Sequence, residues 1–324
     1  MVRWDLSIWV GLLLFLFLAS PVCAESVHGY KLSLQGGWRQ ENLDWDIAGV
    51  FNGSEVDILS ELNWKELQIA ELVASARLDV TAHSYPELLG VMQGRLAYGL
   101  IFDGVVIDSD YAGSGRTFIF SRSRSDAGDG DVMDGELSLG VTPLQPWHGV
   151  EILPQIGLEF HIQRLTMFNG VQVLSRQFFA PGVALPPLGP FAGLDSRYDT
   201  YWFGGWLGVE IASRDETQSV FWGGSLRLSR LHLYAEADWN LREDFAHPVS
   251  FTHEGDGYGG QLGVWGGYRL GDHLLLTLQG EWLRAEVKNG IDLVYLSVGS
   301  VARTRLNHVE RRAQRLLLGL SYCY

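Results

Sequence analysis

Glu310-Arg311-Arg312-Ala313-Gln314-Arg315-Leu316-Leu317-Leu318-Gly319-Leu320-Ser321-Tyr322-Cys323-Tyr324 ends the chain. From Arg312 the even positions run Arg, Gln, Leu316, Leu318, Leu320, Tyr322 and Tyr324. The odd positions are Arg311, Ala313, Arg315, Leu317, Gly319, Ser321 and Cys323. Side chains alternate across a strand, so one face is oily and ends in aromatics while the other is small or polar. A strand built this way stands between two different solvents.

A largely apolar outward row that ends on an aromatic resembles the closing strand of bacterial outer-membrane β-barrels, in which every earlier strand pairs around to meet the last. The other end of the chain agrees. Arg3, an apolar run over residues 8–18 and Pro21-Val22-Cys23-Ala24 read as a secretory signal, residues 1–24, cleaved before Glu25. The run is shorter than the roughly 20 residues a membrane helix needs. Pro21 and Val22 stand where a lipidation signal has small residues, so Cys23 is not read as a lipid anchor. Residues 25–324 then form the barrel, with Cys323 as their one cysteine and no intramolecular disulfide. No later segment is apolar enough for a membrane helix, so any span is made of strands. The formal charge is −14, and losing Arg3 and Asp5 leaves it unchanged. That balance argues against nucleic acid and reads as solvated loop charge.

Amphipathic strands are expected over residues 30–40, 57–80, 88–106, 132–141, 150–168, 198–211, 220–240, 257–269, 273–287 and 310–324. Charges opposite the apolar rows, such as Glu61, Glu71 and Arg77, must face the lumen. Long connections alternate with short ones. A Gly, Ser and Asp segment reaches about Asp131, a proline-rich loop centres on Pro181 to Pro190, and about twenty loop residues precede the closing strand. The expected fold is an all-β, ten-stranded antiparallel transmembrane β-barrel in the outer membrane, its long loops extracellular. A soluble sandwich also shows short amphipathic strands, but strand length, signal and aromatic terminus count against it.

Chemistry is sought at the long-loop rim. Asp108 and Asp110, in Val106-Ile107-Asp108-Ser109-Asp110-Tyr111, share one face of a strand and can share a proton if desolvated, or polarise a water. The outward row of that strand is even-numbered, so both face the lumen only if a bulge at Gly104 shifts the parity. Arg122 and Arg124 could contact anionic lipid head groups. His83, His148, His161 and His273 show no metal-ligand spacing, and no cofactor is expected.

Ser60-Glu61-Leu62-Asn63-Trp64-Lys65, Asp108-Ser109-Asp110-Tyr111 and Gly223-Gly224 resemble segments of the omptin family, ten-stranded outer-membrane proteases. The resemblance implies that Asp108 and Asp110 form one catalytic pair and that an Asp-x-His at the rim of strand seven forms the other. Counting from Gly223-Gly224 puts Asp238 on the aspartate and Asn240 on the histidine. An asparagine cannot act as a general base. His247 is the candidate displaced base, although Asp244, three residues before it, does not share its face. A parity slip near Ser229-Arg230 suggests a bulge, after which Glu236, Asp238 and Asn240 face inward. The family's lipopolysaccharide-binding pattern is not evident in Leu158-Glu159-Phe160-His161-Ile162-Gln163.

The missing histidine tilts the reading toward an outer-membrane barrel of surface-binding or structural role. The alternative is an endopeptidase with Asp108, Asp110, Asp238 and His247 at its extracellular rim. A diffusion pore is set aside because side chains fill a barrel of this size. Expected partners are outer-membrane lipid, with lipopolysaccharide as a candidate, and an extracellular polypeptide.

Overall fold

The computed structural model describes residues 26–82, 85–214 and 218–324; the expected signal and His83 lie outside them. Twelve strand segments follow in order: β1 Ser26–Phe51, β2 Ser54–Ala82, β3 Tyr85–Gly113, β4 Thr117–Asp126, β5 Gly130–Pro143, β6 Val150–Ser175, the two-residue β7 Gly189–Pro190, β8 Asp195–Ser213, β9 Val220–Asp238, β10 Phe251–Arg269, β11 Leu274–Tyr295 and β12 Val301–Cys323. All pairings are antiparallel. β12 returns to β1 in a register running from Lys31 opposite Cys323 to Asp46 opposite His308, and the sheet closes as a ring of ten strands. β4 and β5 together make the fourth strand: β3 pairs β5 over Leu88 to Leu100 and β4 over Val105 to Gly113.

Alternation decides which solvent each residue meets. Leu34, Leu100, Leu158, Leu207, Leu278 and Leu318 are each more than half exposed, and they belong to the outward rows that form the lipid-facing band. A closed ring with such an apolar band spans a lipid bilayer.

The strands run well past that band on one side. The segment expected as a loop up to Asp131 is instead the end of β3, a turn at residues 114–116, and β4. The twenty residues expected as loop before the closing strand are largely the ends of β11 and β12, joined over residues 296–300. Beyond the membrane both faces of a strand meet polar groups, so the oily alternation that marks a span disappears while pairing continues. β9 corrects a second expectation. Its pairing with β8 and β10 is unbroken from Gly223 to Ala237, so there is no bulge at Ser229-Arg230. Trp222, Leu226, Leu228 and Tyr234 keep one outward row, and Leu231, Leu233, Ala235 and Ala237 are inward and buried. The apparent change of parity arose because the inside of the barrel is itself apolar at that height.

The interior is layered. A chamber of about 580 Å³ lies at the short-turn end, lined by charged side chains including Arg77, Glu151 and Glu210. Above it comes a belt of ion pairs. Arg39, fully buried, meets Glu41, Glu71 at 3.4 Å and Asp134 at 2.8 Å, and Arg315 meets Asp134 and, at 3.2 Å, Glu281. Next is an apolar layer that includes Leu43, Trp45, Leu62, Trp64, Tyr198 and Trp202. Buried charges survive only when paired, and removing one partner leaves an uncompensated charge at a cost of about 3–5 kcal/mol.

Face assignment is directly testable. Leu318→Arg, on the lipid side, should cost about 2–4 kcal/mol of folding free energy. Ser225→Arg, which enters the polar chamber opposite Glu210, should cost less than about 1 kcal/mol. Equal costs in urea titrations of the refolded protein would show the faces to be misassigned.

Candidate functional site

Gly104 places the first acid pair. Its φ is +154°, and a Cβ there would stand 2.7 Å from the side chain of Leu67, so both backbone and space call for glycine. Opposite it, the β2–β3 register shifts between Lys65 and Gln68 and again before Ile69. Below this bulge the even residues Tyr98, Leu100 and Phe102 face lipid; above it the even residue Val106 is buried in the apolar layer. The expected parity shift is therefore present. Asp108 lies opposite Leu62 and Ser123, and Asp110 opposite Ser60 and Ser121. Both carboxyls stand in the lumen mouth, beyond the lipid-facing band that ends on β3 at Phe102.

Burial and the neighbouring charge of Asp110 push Asp108 well above the usual carboxylate range. Burial also raises Asp110, opposed by hydrogen bonds from the Ser60 and Ser121 side chains and by the charge of Arg242. Arg242 lies in the β9–β10 loop, residues 239–250, and the sequence reading missed it. It donates to both carboxylate oxygens of Asp244 at 2.8 Å and lies 4.1 Å over the ring of Phe245. The charge that acts on the acid pair thus comes from the chain's own loop.

The second pair forms by another route than spacing suggested. Nδ1 of His247 lies 2.6 Å from Oδ1 of Asp238, nine residues back. Ser250 pins the loop that brings it there, accepting from the Trp239 amide at 2.9 Å and donating to the Ala246 carbonyl at 3.1 Å. Along the unbroken β9 pairing, however, Asp238 belongs to the outward row, with Arg197 opposite on β8. The expectation that Glu236, Asp238 and Asn240 turn inward is corrected accordingly. The structure brings Asp108 to Asp110 and Asp238 to His247, but it sets the two pairs on opposite faces of the wall. Asn240 is a brace: its Oδ1 accepts from the Asp195 amide and the Ser196 hydroxyl at 3.0 Å each, and its Nδ2 donates to the Gly193 carbonyl at 2.7 Å.

Two further clusters were not foreseen. His253, buried in the apolar layer, meets the Tyr198 hydroxyl at 2.9 Å and Asp292 at 3.3 Å. At the rim, Asp46 gathers His308 at 2.9 Å, Asn307 at 2.6 Å and Arg116 at 3.5 Å, while Arg116 also meets Glu61 at 2.7 Å. This hub ties the β1–β2, β3–β4 and β11–β12 hairpins together. Its partners are up to 264 residues apart, so no local pattern announces them.

Hydrogen bonds to Asp44 and Asp46 raise His308 from 6.5 to about 10. A histidine whose folded value is raised stabilises fully below its unfolded value and loses that contribution as pH rises through the folded one. The His308 ring should therefore stay charged from pH 5 to 8 in nuclear magnetic resonance spectra. The hub's stabilisation should fall progressively as pH rises above about 6.5 and be lost by about pH 10. A ring that titrates near 6.5 would refute the clamp.

The family described as Pom, Protochlamydia outer membrane protein, matches residues 33–324, and the chain belongs to it. Comparison with curated protein sequences finds no match. Among solved structures, the outer membrane protease OmpT from Escherichia coli aligns with a TM-score of 0.70 at 15% identity, covering 92% of this chain and 98% of that one. At that identity the likeness is one of fold. The translocator domain of the autotransporter NalP from Neisseria meningitidis aligns at a TM-score of 0.35 and 10% identity, over 98% of this chain and 96% of its own. The attachment invasion locus protein Ail of Yersinia pestis, solved with a heparin analogue, aligns at 0.30 and 8%, over 91% and 99%.

Proposed function

We propose that this member of the Protochlamydia outer membrane protein family is a surface-binding barrel that does not cleave peptides. Its ligand class is an extracellular polypeptide. The observation that carries the reading is the kind of positive charge that acts on Asp108 and Asp110. Water activation needs a base within hydrogen-bond reach of the water that the acids polarise. Here the charge acting on the acid pair is the guanidinium of Arg242, which cannot accept a proton. The histidine that could accept one is paired with Asp238 in the outward row. The acid pair and Arg242 serve in this reading to hold the β9–β10 loop against the lumen mouth.

A second reading has one specific observation in its favour. The 2.6 Å contact between His247 and Asp238 is the geometry of an oriented base. With Nδ1–H donating to Asp238, Nε2 would take a proton from water, and the resulting hydroxide would attack a peptide carbonyl. The proton shared by the acid pair would go to the leaving amine. That endopeptidase needs both pairs around one water.

Cleavage of a mixed peptide library by refolded protein separates the two, in detergent with and without lipopolysaccharide. Native protein, His247→Ala and Asp110→Asn should all sit at buffer level. Asn240→His should not gain activity, because an imidazole cannot reproduce the three hydrogen bonds of the brace. Native cleavage that falls about 10²–10⁴-fold in His247→Ala would replace the binding reading with the peptidase.

A further inference from the structure

The chamber at the short-turn end has no part in the function proposed above. The ion-pair belt and the apolar layer close it from above, which makes it a blind pocket. In an outer-membrane barrel the short-turn side is the periplasm. Its volume of about 580 Å³ falls within the range of small-molecule sites, about 300–1,000 Å³. Most of the charges that line it neutralise one another. Arg77 and Arg214 both meet Asp79 and Glu151, Arg95 meets Glu281, and Arg227 meets Glu136. Glu210 is engaged by Arg77 at 3.5 Å and by Gln93 at 3.4 Å, and Asp272 stands exposed in the β10–β11 turn. Among the described residues, the lining ammonium and guanidinium groups that meet no carboxylate are those of Lys31 and Arg269.

Both cations belong to one patch of wall centred on Gly267. The inward rows of β9, β10 and β11 put Phe221, Gly267 and Thr277 side by side at one level. Arg269 follows Gly267 in the same row, about 7 Å nearer the mouth. A Cβ at Gly267 would stand 2.3 Å from the Phe221 ring, so glycine is what lets that ring lie across the wall. Nζ of Lys31 reaches over the ring from β1, 5.9 Å from its centre. The Thr277 side chain is only 5% exposed, and its hydroxyl has no hydrogen-bond partner. Nε of Arg269 is likewise buried without one. Buried polar atoms left unpaired are rare and call for a ligand or water. Here an ammonium, a guanidinium and a hydroxyl gather unused at one place.

We propose that this patch binds a phosphate group presented from the periplasmic side. A phosphate monoester carries a charge of about −1.5 to −2 and three acceptor oxygens. That matches two unpaired cations and a hydroxyl donor, whereas a single carboxylate would leave one cation unanswered. Arginine takes two oxygens with its planar fork, and lysine acts as a point charge. The chamber's acids, Asp272 apart, are already paired, which disfavours a cationic ligand. Two sources on that side share the chemistry: a soluble phosphate monoester and the head group of a membrane phospholipid.

The test is calorimetric titration of the refolded protein with glycerol 3-phosphate, in non-ionic detergent and phosphate-free buffer. Folding of every variant is confirmed by heat-modifiable migration. Native protein should bind with a Kd below about 1 mM, and glycerol should give no heat. Lys31→Met, Arg269→Gln and Thr277→Val should each weaken binding by about tenfold or more. Arg269→Lys, which keeps the charge, should lose less than Arg269→Gln. Arg230→Gln, on the outward face, should change binding less than about twofold. Nanodiscs of phosphatidylcholine with and without phosphatidic acid divide the two sources. Binding of glycerol 3-phosphate lost only with phosphatidic acid would support the site as one for a lipid head group, and binding retained in both would support a soluble ligand. No binding in detergent would overturn the proposal, as would binding indifferent to Lys31→Met and Arg269→Gln. Succinate binding more tightly than glycerol 3-phosphate would overturn phosphate as the ligand class.

Discussion

Everything in this protein depends on β12 finding β1. In hydrocarbon an unpaired backbone group costs several kcal/mol, so a sheet that spans a membrane must close. The register from Lys31 opposite Cys323 to Asp46 opposite His308 does so. Closure at ten strands leaves a lumen narrow enough for side chains to fill. The inward rows carry many charges at the height of the bilayer, and these must find partners across the lumen. Arg39 on β1 reaches Glu71 on β2 and Asp134 on β5, and Arg315 on β12 reaches the same Asp134 and Glu281 on β11. Each pair is held by the ring and in turn fixes the distance across it. With the apolar layer stacked above, the barrel is a packed support rather than a channel.

On such a support a single residue of parity decides which side chains can meet. The bulge at Gly104 moves the even row of β3 from lipid to lumen, and only because of it do Asp108 and Asp110 stand inside. β9 has no such bulge, so Asp238 stays in the row that began with Trp222. Two motifs that appear equivalent in sequence, each an acid near a strand end, are thereby delivered to opposite faces.

These contrasts explain what could be read from the sequence. The closing strand, the ten-strand count and the Gly104 bulge were legible because the two solvents write themselves into alternate residues. The rim portions of β3, β4, β11 and β12 were not, since strand pairing beyond the membrane needs no oily row. Leu231, Leu233 and Ala235 misled for the opposite reason: an apolar interior layer mimics a lipid face. At the site, the acid pair and His247 were singled out as candidates, but the partnership of His247 with Asp238 depends on a loop turn pinned by Ser250. Arg242 was missed because the acids on which its charge acts lie on a different hairpin, and the Asp46–His308 hub because its contacts cross between hairpins far apart in the chain.

The likeness to the protease OmpT covers nearly all of both chains and is one of scaffold. Activity belongs to the site a scaffold carries, and here Asn240 is the informative position. An amide offers an acceptor that takes two hydrogen bonds and a donor on the same rigid plane, and all three are used to tie the end of β9 to Gly193, Asp195 and Ser196. A neutral imidazole has one acceptor and one donor, so a histidine there would leave the neighbouring loop short of a partner. The position that counting from Gly223-Gly224 assigns to a base is therefore committed to holding structure. For His247 to take over that role, β9 would have to gain one residue of parity to bring Asp238 inside, at a point where both its neighbours pair with it without interruption. The uninterrupted sheet that makes the barrel stable keeps His247 apart from Asp108 and Asp110.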